Sequence, residues 1–413
     1  MSPRAVLIVA WLGWVFDVMD TALFNFAKKP MLTEMLGEAG YKAGGAAWEG
    51  RIQMVFLIGW AIGGLVFGIL ADRWGRSRTL IVTILLYSAL TGLTALAQTP
   101  DQVLGLRFLT ALGIGGEWAA GAAMVAEAYR SGGRVGAAAW LQTAAAFGPW
   151  LAAYANFKIP TGDWRTLFLV GVIPAVMVVF VRFKADRSSS IENRSQPLDP
   201  PSTINDSPLL ALFATPALRR RALVATTLGI VGVTGAGILP FWLPNLIDGA
   251  AVGMAAEVKK NFVSLNTFTL HIGTLLGVLV FPAISERIGR RPAFALFFVM
   301  APLVTSIALV GKPNLDTLLY LLPVVSFFAV GLSAGFVLYF PELFPTHLRA
   351  TGAGLAYNTG RIVSAPMPAL IGMVISNTGG NAAYGVLVAS AIYVLGLLAL
   401  PFAPETRGQA LPE

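Results

Sequence analysis

The chain has 413 residues, of which 56% are apolar and only 12% charged, about half the charge of an ordinary soluble domain. A mean hydropathy of +0.71 excludes soluble domains, disorder and coiled coil, and the absence of cysteine excludes a disulfide scaffold, a thiolate metal site and a cysteine nucleophile. The net charge of +8 does not point to nucleic acid, because the basic residues form short clusters between apolar runs, the pattern that orients helices in a bilayer.

The first apolar run, about 5–27, is too long for the core of a signal peptide and no small-x-small site closes it, so it reads as a retained helix. Windows long enough to cross ~30 Å of hydrocarbon follow at 50–71, 79–97, 102–126, 135–158 and 166–183. A Ser-, Asn-, Pro- and charge-rich stretch, DRSSSIENRSQPLDPPSTINDSP, then interrupts the pattern; such a composition has no core-forming power. Six more windows follow at 220–247, 261–283, 292–311, 316–340, 350–376 and 382–403. The expectation is an all-α membrane protein of twelve spans, numbered here in chain order. Residues 1–183 make an N-terminal six-helix bundle, 184–217 a linker and 218–413 a C-terminal six-helix bundle.

Orientation follows from Lys and Arg. With the N-terminus inside, 18 fall on inside segments, 9 on outside loops, and two, Arg107 and Arg361, within spans. This inward bias predicts cytoplasmic N- and C-termini and a cytoplasmic linker in the plasma (inner) membrane. The halves also repeat. Asp72-Arg73-Trp74-Gly75-Arg76 between spans 2 and 3 returns as Glu286-Arg287-Ile288-Gly289-Arg290 between spans 8 and 9, an offset of 214. Glu127 and Arg134 after span 4 return as Glu342 and Arg349 after span 10, an offset of 215. A duplicated six-helix unit with a binding site between its copies is the reading.

These residues, with Gly113-Ile-Gly115-Gly116-Glu117 in span 4, Pro341-Glu342 to Gly352, and Pro404-Glu405-Thr406-Arg407-Gly408 in the tail, resemble the major facilitator superfamily. The likeness is to its branch of metabolite, aromatic-acid and sialate or lactate proton symporters and sugar porters. The resemblance implies the major facilitator fold and transport by alternating access. It also implies a cytoplasmic latch of Arg73 with Glu127 and Arg134, and of Arg287 with Glu342 and Arg349, with Asp72, Arg76, Glu286 and Arg290 in the same loops. The plainer alternative is that these charges serve only topology and loop packing.

Ionisable groups within the spans are costly and usually functional. Span 1 carries Asp17 and Asp20 on one face. Span 4 carries Arg107 and Glu117, span 8 His271 and span 11 Arg361. At ~1.5 Å per residue, Asp20 and Arg107 lie at similar depth below the outer end, and Asp17, His271 and Arg361 near the midplane. In the resembled family a span-1 Asp and a span-4 Arg couple protonation to transport. Asp20 with Arg107 is therefore one proton site here, Asp17 a competing one, and a permanently ionised pair pinning two helices the third reading.

A midplane guanidinium with no acidic neighbour in its own half invites an anion, and in organic-anion transporters of the family an arginine at this place holds the substrate carboxylate. The alternative is that Arg361 pairs with Asp17 or Asp20. His271, Asn266, Gln142 and Tyr357 are further pocket candidates, although His271 reads equally well as a packing residue. Phe24, Trp140 and Trp242 read better as packing or lipid contacts. The span-7 pattern of sugar porters is absent. Gly113 to Gly116 sit in mid-helix and suit close helix packing rather than a nucleotide loop. Neither Walker, HExxH nor nucleophile-elbow motifs occur, so the chain reads as no enzyme. It needs no cofactor or metal, its partners are a small organic acid, protons and lipid, and it is a monomer. The expected function is proton-coupled symport of a monocarboxylate or aromatic acid; the alternative is a sugar, polyol or organic-cation porter.

Overall fold

A computed structural model describes residues 3–128, 140–174, 208–311, 313–345 and 348–409. Among them every regular element is helical. The apolar windows become helices at Arg76–Thr94, Pro100–Ala128, Ala144–Lys158, Trp164–Val170, Pro216–Ala250, Ala256–Ile288, Arg290–Leu309 and Leu315–Leu343, which carry spans 3 to 10. Span 11 is divided at Ala365 into Arg349–Ser364 and Pro366–Asn377, because proline lacks the N–H that would continue the ladder. Span 12 is divided at Ala391. The region expected as a linker lies outside the described residues up to 207, and a short helix, Pro208–Ala211, falls within the remainder.

The largest departure from the windows is at the start. Spans 1 and 2 belong to one helical run, Pro3–Trp74, broken only at Gly37 (φ 71°, ψ 162°). The segment expected as a loop between 27 and 50 is thus a helical hairpin standing beyond the apolar windows. Its tip is tied to the end of the next hairpin, where Glu34 accepts hydrogen bonds from Trp164 Nε1 and Arg165 Nη1, each at 2.8 Å. Charged positions hid this helix from a search for apolar runs.

The inside-out distribution of polarity is that of a bilayer protein. Leu65, Ile69, Ile307 and Leu398 are more than half exposed, whereas Asp17, Asp20, Arg107 and Glu117 are buried. Large apolar side chains facing outward over so much of the surface need lipid against them.

The repeat seen in sequence is also a repeat of geometry. Gly75 (φ 91°) and Gly289 (φ 101°) occupy equivalent turns. Each N–H bonds to the carbonyl four residues back, at Ala71 and Ser285, both at 3.1 Å. Each carbonyl then receives the N–H four residues on, from Thr79 and Ala293. Only glycine enters this left-handed region without a steric cost, so the offset of 214 marks two copies of one turn.

Glycine also sets how closely helices approach. Spans 8 and 10 meet at Gly277 and Gly331, where a Cβ on Gly331 would lie 2.9 Å from Gly277 Cα. A Cβ on Gly115 would lie 2.7 Å from Gly64 N, which bears out the packing reading of the span-4 glycines. Backbones this close gain dispersion contacts that lipid cannot replace. Gly331→Leu is expected to cost about 1–3 kcal/mol by overpacking and to lower the thermal unfolding midpoint of the detergent-purified protein; an unchanged midpoint would show that the two helices can separate freely.

Candidate functional site

A cavity of about 250 Å3 lies between helices of both halves. Span 1 contributes Thr21 and Asn25, span 2 Gln53 and Trp60, span 7 Pro240 and Phe241, span 8 His271, span 10 Phe336, and span 11 Tyr357 and Arg361. The helical periods explain the set: Gln53, Leu57 and Trp60 fall on one face of span 2, as do Tyr357 and Arg361 on span 11.

Arg361 is 7% exposed and its Cζ lies 4.5 Å from the Trp60 ring centroid and 4.7 Å from that of Tyr357. The guanidinium is thus clamped by one aromatic ring from each half, and the Tyr357 hydroxyl is in hydrogen-bond contact with it. Cation–π contacts of this kind hold a guanidinium by its face, and the edge of a guanidinium is the part whose geometry matches a planar anion. His271 lines the same cavity and its Nδ1 lies 2.8 Å from the Thr267 carbonyl; the opposite ring nitrogen remains for the cavity. Asn266 is buried but does not line the cavity, since its Nδ2 donates back to the Phe262 carbonyl at 2.9 Å. Gln142 is half-buried and lies outside the cavity lining as well. Both had the right residue type, but on a helix only rotation about the axis decides which way a side chain faces.

Behind the cavity is a buried charged cluster. Arg107 Nη1 donates to Asp20 Oδ2 at 2.8 Å, and Thr91 Oγ1 donates to Asp20 Oδ1 at 2.5 Å. The guanidinium also lies between Phe24 and Phe56, with Cζ 4.8 and 4.5 Å from the ring centroids. The depth match between Asp20 and Arg107 therefore corresponds to direct contact. Asp17 is placed differently. It is fully buried, no donor group bonds either oxygen, and its carboxyl lies beside that of Glu117. Tyr87 lies beside Glu117, and Arg361 is near enough to act on Asp17 electrostatically. Gly13 makes the room, because a Cβ there would collide with Glu117 Oε1. Glu117 was legible as a charge within a span, yet its partner Asp17 was not, since helix rotation and the room left at Gly13 decide that these two carboxyls face each other.

On the face away from the arginine loops the halves are joined by a second buried set. Lys28, fully buried, pairs with Glu49 at 2.8 Å and donates to the Phe241 carbonyl at 2.7 Å. Its ammonium lies 3.7 Å from the Phe241 ring centroid and 4.4 Å from that of Trp242. Tyr41 donates to Glu49 at 2.5 Å, and Lys29 pairs with Asp248 at 2.5 Å. Trp150 Nε1 reaches the Phe268 carbonyl and Asn156 reaches Ser264 on the neighbouring contact between spans 5 and 8. Together these join the two halves on that face. Sequence reasoning placed Lys28 in an outside loop and missed this junction, whose signal was a Lys and a Glu beside helix-forming residues.

On the arginine-loop face, Arg290 rather than Arg287 meets Glu342, with Nη2 to Oε1 at 2.8 Å. Arg287 and Glu286 point outward and are exposed. Arg349 Nε donates to the Pro341 carbonyl at 3.0 Å. The reason is the turn at Gly289, which carries residue 290 back over the bundle. The tail completes the cluster. Thr406 donates to Glu342 at 2.5 Å, and Glu405 receives the backbone N–H groups of Arg290 and Arg291 at 2.8 and 3.0 Å. In the first half Arg73 is exposed. Arg134 lies outside the described residues, and the side chains of Asp72, Arg76 and Glu127 outside the described side chains.

An outward apolar surface, buried charges and a central cavity between the two halves are the features of a helical bundle built to work in a membrane. Residues 10–368 match the model of the Major Facilitator Superfamily, and the chain belongs to that family. It is 33% identical over 407 residues to a probable 4-methylmuconolactone transporter of Cupriavidus pinatubonensis, covering 97% of this chain and 90% of the relative. It is 30% identical to a cis,cis-muconate transport protein of Acinetobacter baylyi, covering 98% and 95%. A crystal structure of a D-xylose-proton symporter superposes with a TM-score of 0.75 over 100% of both chains at 16% identity, which shows the fold. The protein is an integral membrane transporter, not an enzyme, and its two six-helix bundles are those of the superfamily.

The tail cluster has a pH signature. Burial raises the Glu405 carboxyl, but hydrogen bonds from four backbone N–H groups, of Arg290, Arg291, Arg407 and Thr406, outweigh it and hold the group below its usual range. A depressed carboxyl stabilises the docked tail above the free value of about 4.3, and that contribution disappears as pH falls through the docked value. Tail amides are expected to lose hydrogen-exchange protection on acidification below about pH 4, and Glu405→Gln to remove the transition; protection that persists to pH 2 in both would leave the carboxylate with no part in docking.

Proposed function

We propose that the protein is a proton-coupled symporter of a small organic anion, a monocarboxylate or aromatic acid, working by alternating access. The carrying observation is Arg361, a guanidinium clamped by Trp60 and Tyr357 on the wall of a central cavity. The name of one relative, a cis,cis-muconate transport protein, supports an organic acid; muconate carries two carboxylates, so the restriction to one rests on Arg361 as the one lysine or arginine in the cavity lining among the described residues. A cationic wall disfavours the organic-cation reading.

Asp17 is the better supported proton carrier. Ionised carboxylates only accept hydrogen bonds, so the contact between Asp17 and Glu117 is a hydrogen bond when one of them carries a proton. Asp20, already bonded to Arg107 and Thr91, is the pinning pair. Arg361 attracts both Asp17 and an incoming carboxylate, so a proton on Asp17 leaves the guanidinium to the substrate. Loading would then need both, which is the logic of symport. Residues 1–183 and 218–413 are the two rocking bodies and 184–217 the cytoplasmic linker, with both termini cytoplasmic and the monomer as working unit in the plasma membrane. The Lys28 and Glu49 set would be the gate closed in this conformation, and the Arg290 and Glu342 set the loop latch of the opposite face.

Uptake into proteoliposomes of a carboxylate panel, with and without an acid-outside pH gradient, tests the reading; transport of a neutral sugar and of no acid would overturn it. Arg361→Ala is expected to reduce carboxylate uptake by about 100-fold, the loss of a charge-assisted bond, and Arg361→Lys to restore part of it by returning charge without the planar fork. Wild-type rates in the alanine variant would remove the anion site. Asp17→Asn is expected to abolish stimulation by the gradient while exchange of internal for external substrate continues; an intact pH response would return the proton to Asp20.

A further inference from the structure

The two ends of the cavity differ in hydrogen-bonding character. At one end the Arg361 guanidinium lies over Trp60, and the Trp60 indole N–H is buried with no acceptor. At the other, Asn25 Oδ1 and Gln53 Oε1 are buried with no donor. Both residues line the cavity and are more than nine-tenths buried, at 7% and 8% exposure.

The orientation of Asn25 is set by its neighbour. Its Nδ2 faces the Pro240 carbonyl at 3.4 Å. A carbonyl only accepts, so the amide nitrogen must take that side and the oxygen is the atom left over. Gln53 and Trp60 stand seven residues apart in the Pro3–Trp74 run. Seven residues are two turns, so the pair share a face and are about 10 Å apart along the axis. Phe26, Leu57 and Phe241 lie among the apolar lining.

We infer that Asn25 and Gln53 form a substrate-recognition subsite that accepts an O–H or N–H donor at the end of the ligand remote from its carboxylate. The inference rests on the organic-anion reading and narrows it to small acids of single charge with a distal donor. A buried acceptor with no donor costs free energy that a bound donor returns, and a ligand lacking the donor leaves both oxygens unsatisfied. A second carboxylate would meet two acceptors in a desolvated pocket. Lys28, one turn beyond Asn25, cannot answer it, because its ammonium is engaged by Glu49 and the Phe241 carbonyl. Dicarboxylates are therefore rejected at this end.

Binding of three probes to the purified full-length protein, by isothermal titration, tests the subsite: 3-phenylpropionate, its 4-hydroxyphenyl analogue and its 4-carboxyphenyl analogue. The hydroxylated acid is expected to bind about tenfold more tightly than the parent, and the dicarboxylate more weakly than the parent. Asn25→Leu and Gln53→Leu should each bring the ratio of hydroxylated to parent affinity toward one, and an unfolding midpoint close to that of the wild type reports that the variants fold. A dicarboxylate that binds tightest, or a hydroxyl preference untouched in both variants, overturns the subsite. Should either variant fail to fold, the wild-type ranking of the three acids decides by itself. If none of the acids binds, the organic-anion reading falls first and the subsite with it, a result distinct from binding in the wrong order.

Discussion

The structure depends on one constraint: a charge held away from water must meet a partner. Arg107 and Asp20, Lys28 and Glu49, and Arg361 with its two rings are each solutions to it. Replacing such pairs by apolar residues would often be no less stable, whereas removing one partner leaves an uncompensated ion. Their presence is thus weak support for stability and better explained by function. Arg107 with Asp20 joins spans 4 and 1, Lys28 reaches the Phe241 carbonyl of span 7, and Arg361 meets Trp60 of span 2, so the contacts that neutralise charge also bring together helices distant in sequence.

The three sets divide by location. Arg107 and Asp20 join spans of one half, so the pair survives any movement of the halves as rigid bodies. Lys28 with the Phe241 carbonyl, and Lys29 with Asp248, join opposite halves and would separate in such a movement. Arg361 touches Trp60 across the same divide. Asp17 and Glu117 lie beside each other in the first half and within the field of Arg361 from the second.

Legibility followed the same division. The depth of Asp20 and Arg107 could be counted at one residue per 1.5 Å, and their meeting was readable because both lie on long regular helices. The equivalent turns at Gly75 and Gly289 were readable because charge and glycine recur together. The hairpin above spans 1 and 2 was hidden, since its helix carries charge where the eye expects a loop. The exchange of Arg287 for Arg290 as the partner of Glu342 was hidden too, since a turn with φ near 100° redirects the chain. Asn266 and Gln142 failed on rotation, and Asn25 and Gln53 carry neither the charge nor the motif that would have marked them in the sequence.

Composition and periodicity by themselves determined that the chain lives in lipid, is helical throughout its described length, repeats once and carries a handful of intramembrane charges. These are properties of a single segment or of two aligned segments, and solvent preference and helical pitch suffice to read them. Tertiary structure alone decided which charges share a cavity and which are sealed in pairs, why Asp17 and Glu117 lie together, and which amide oxygens line the cavity without a donor. Those outcomes depend on how helices rotate and pack against one another, a collective compromise among hundreds of contacts that no segment encodes alone.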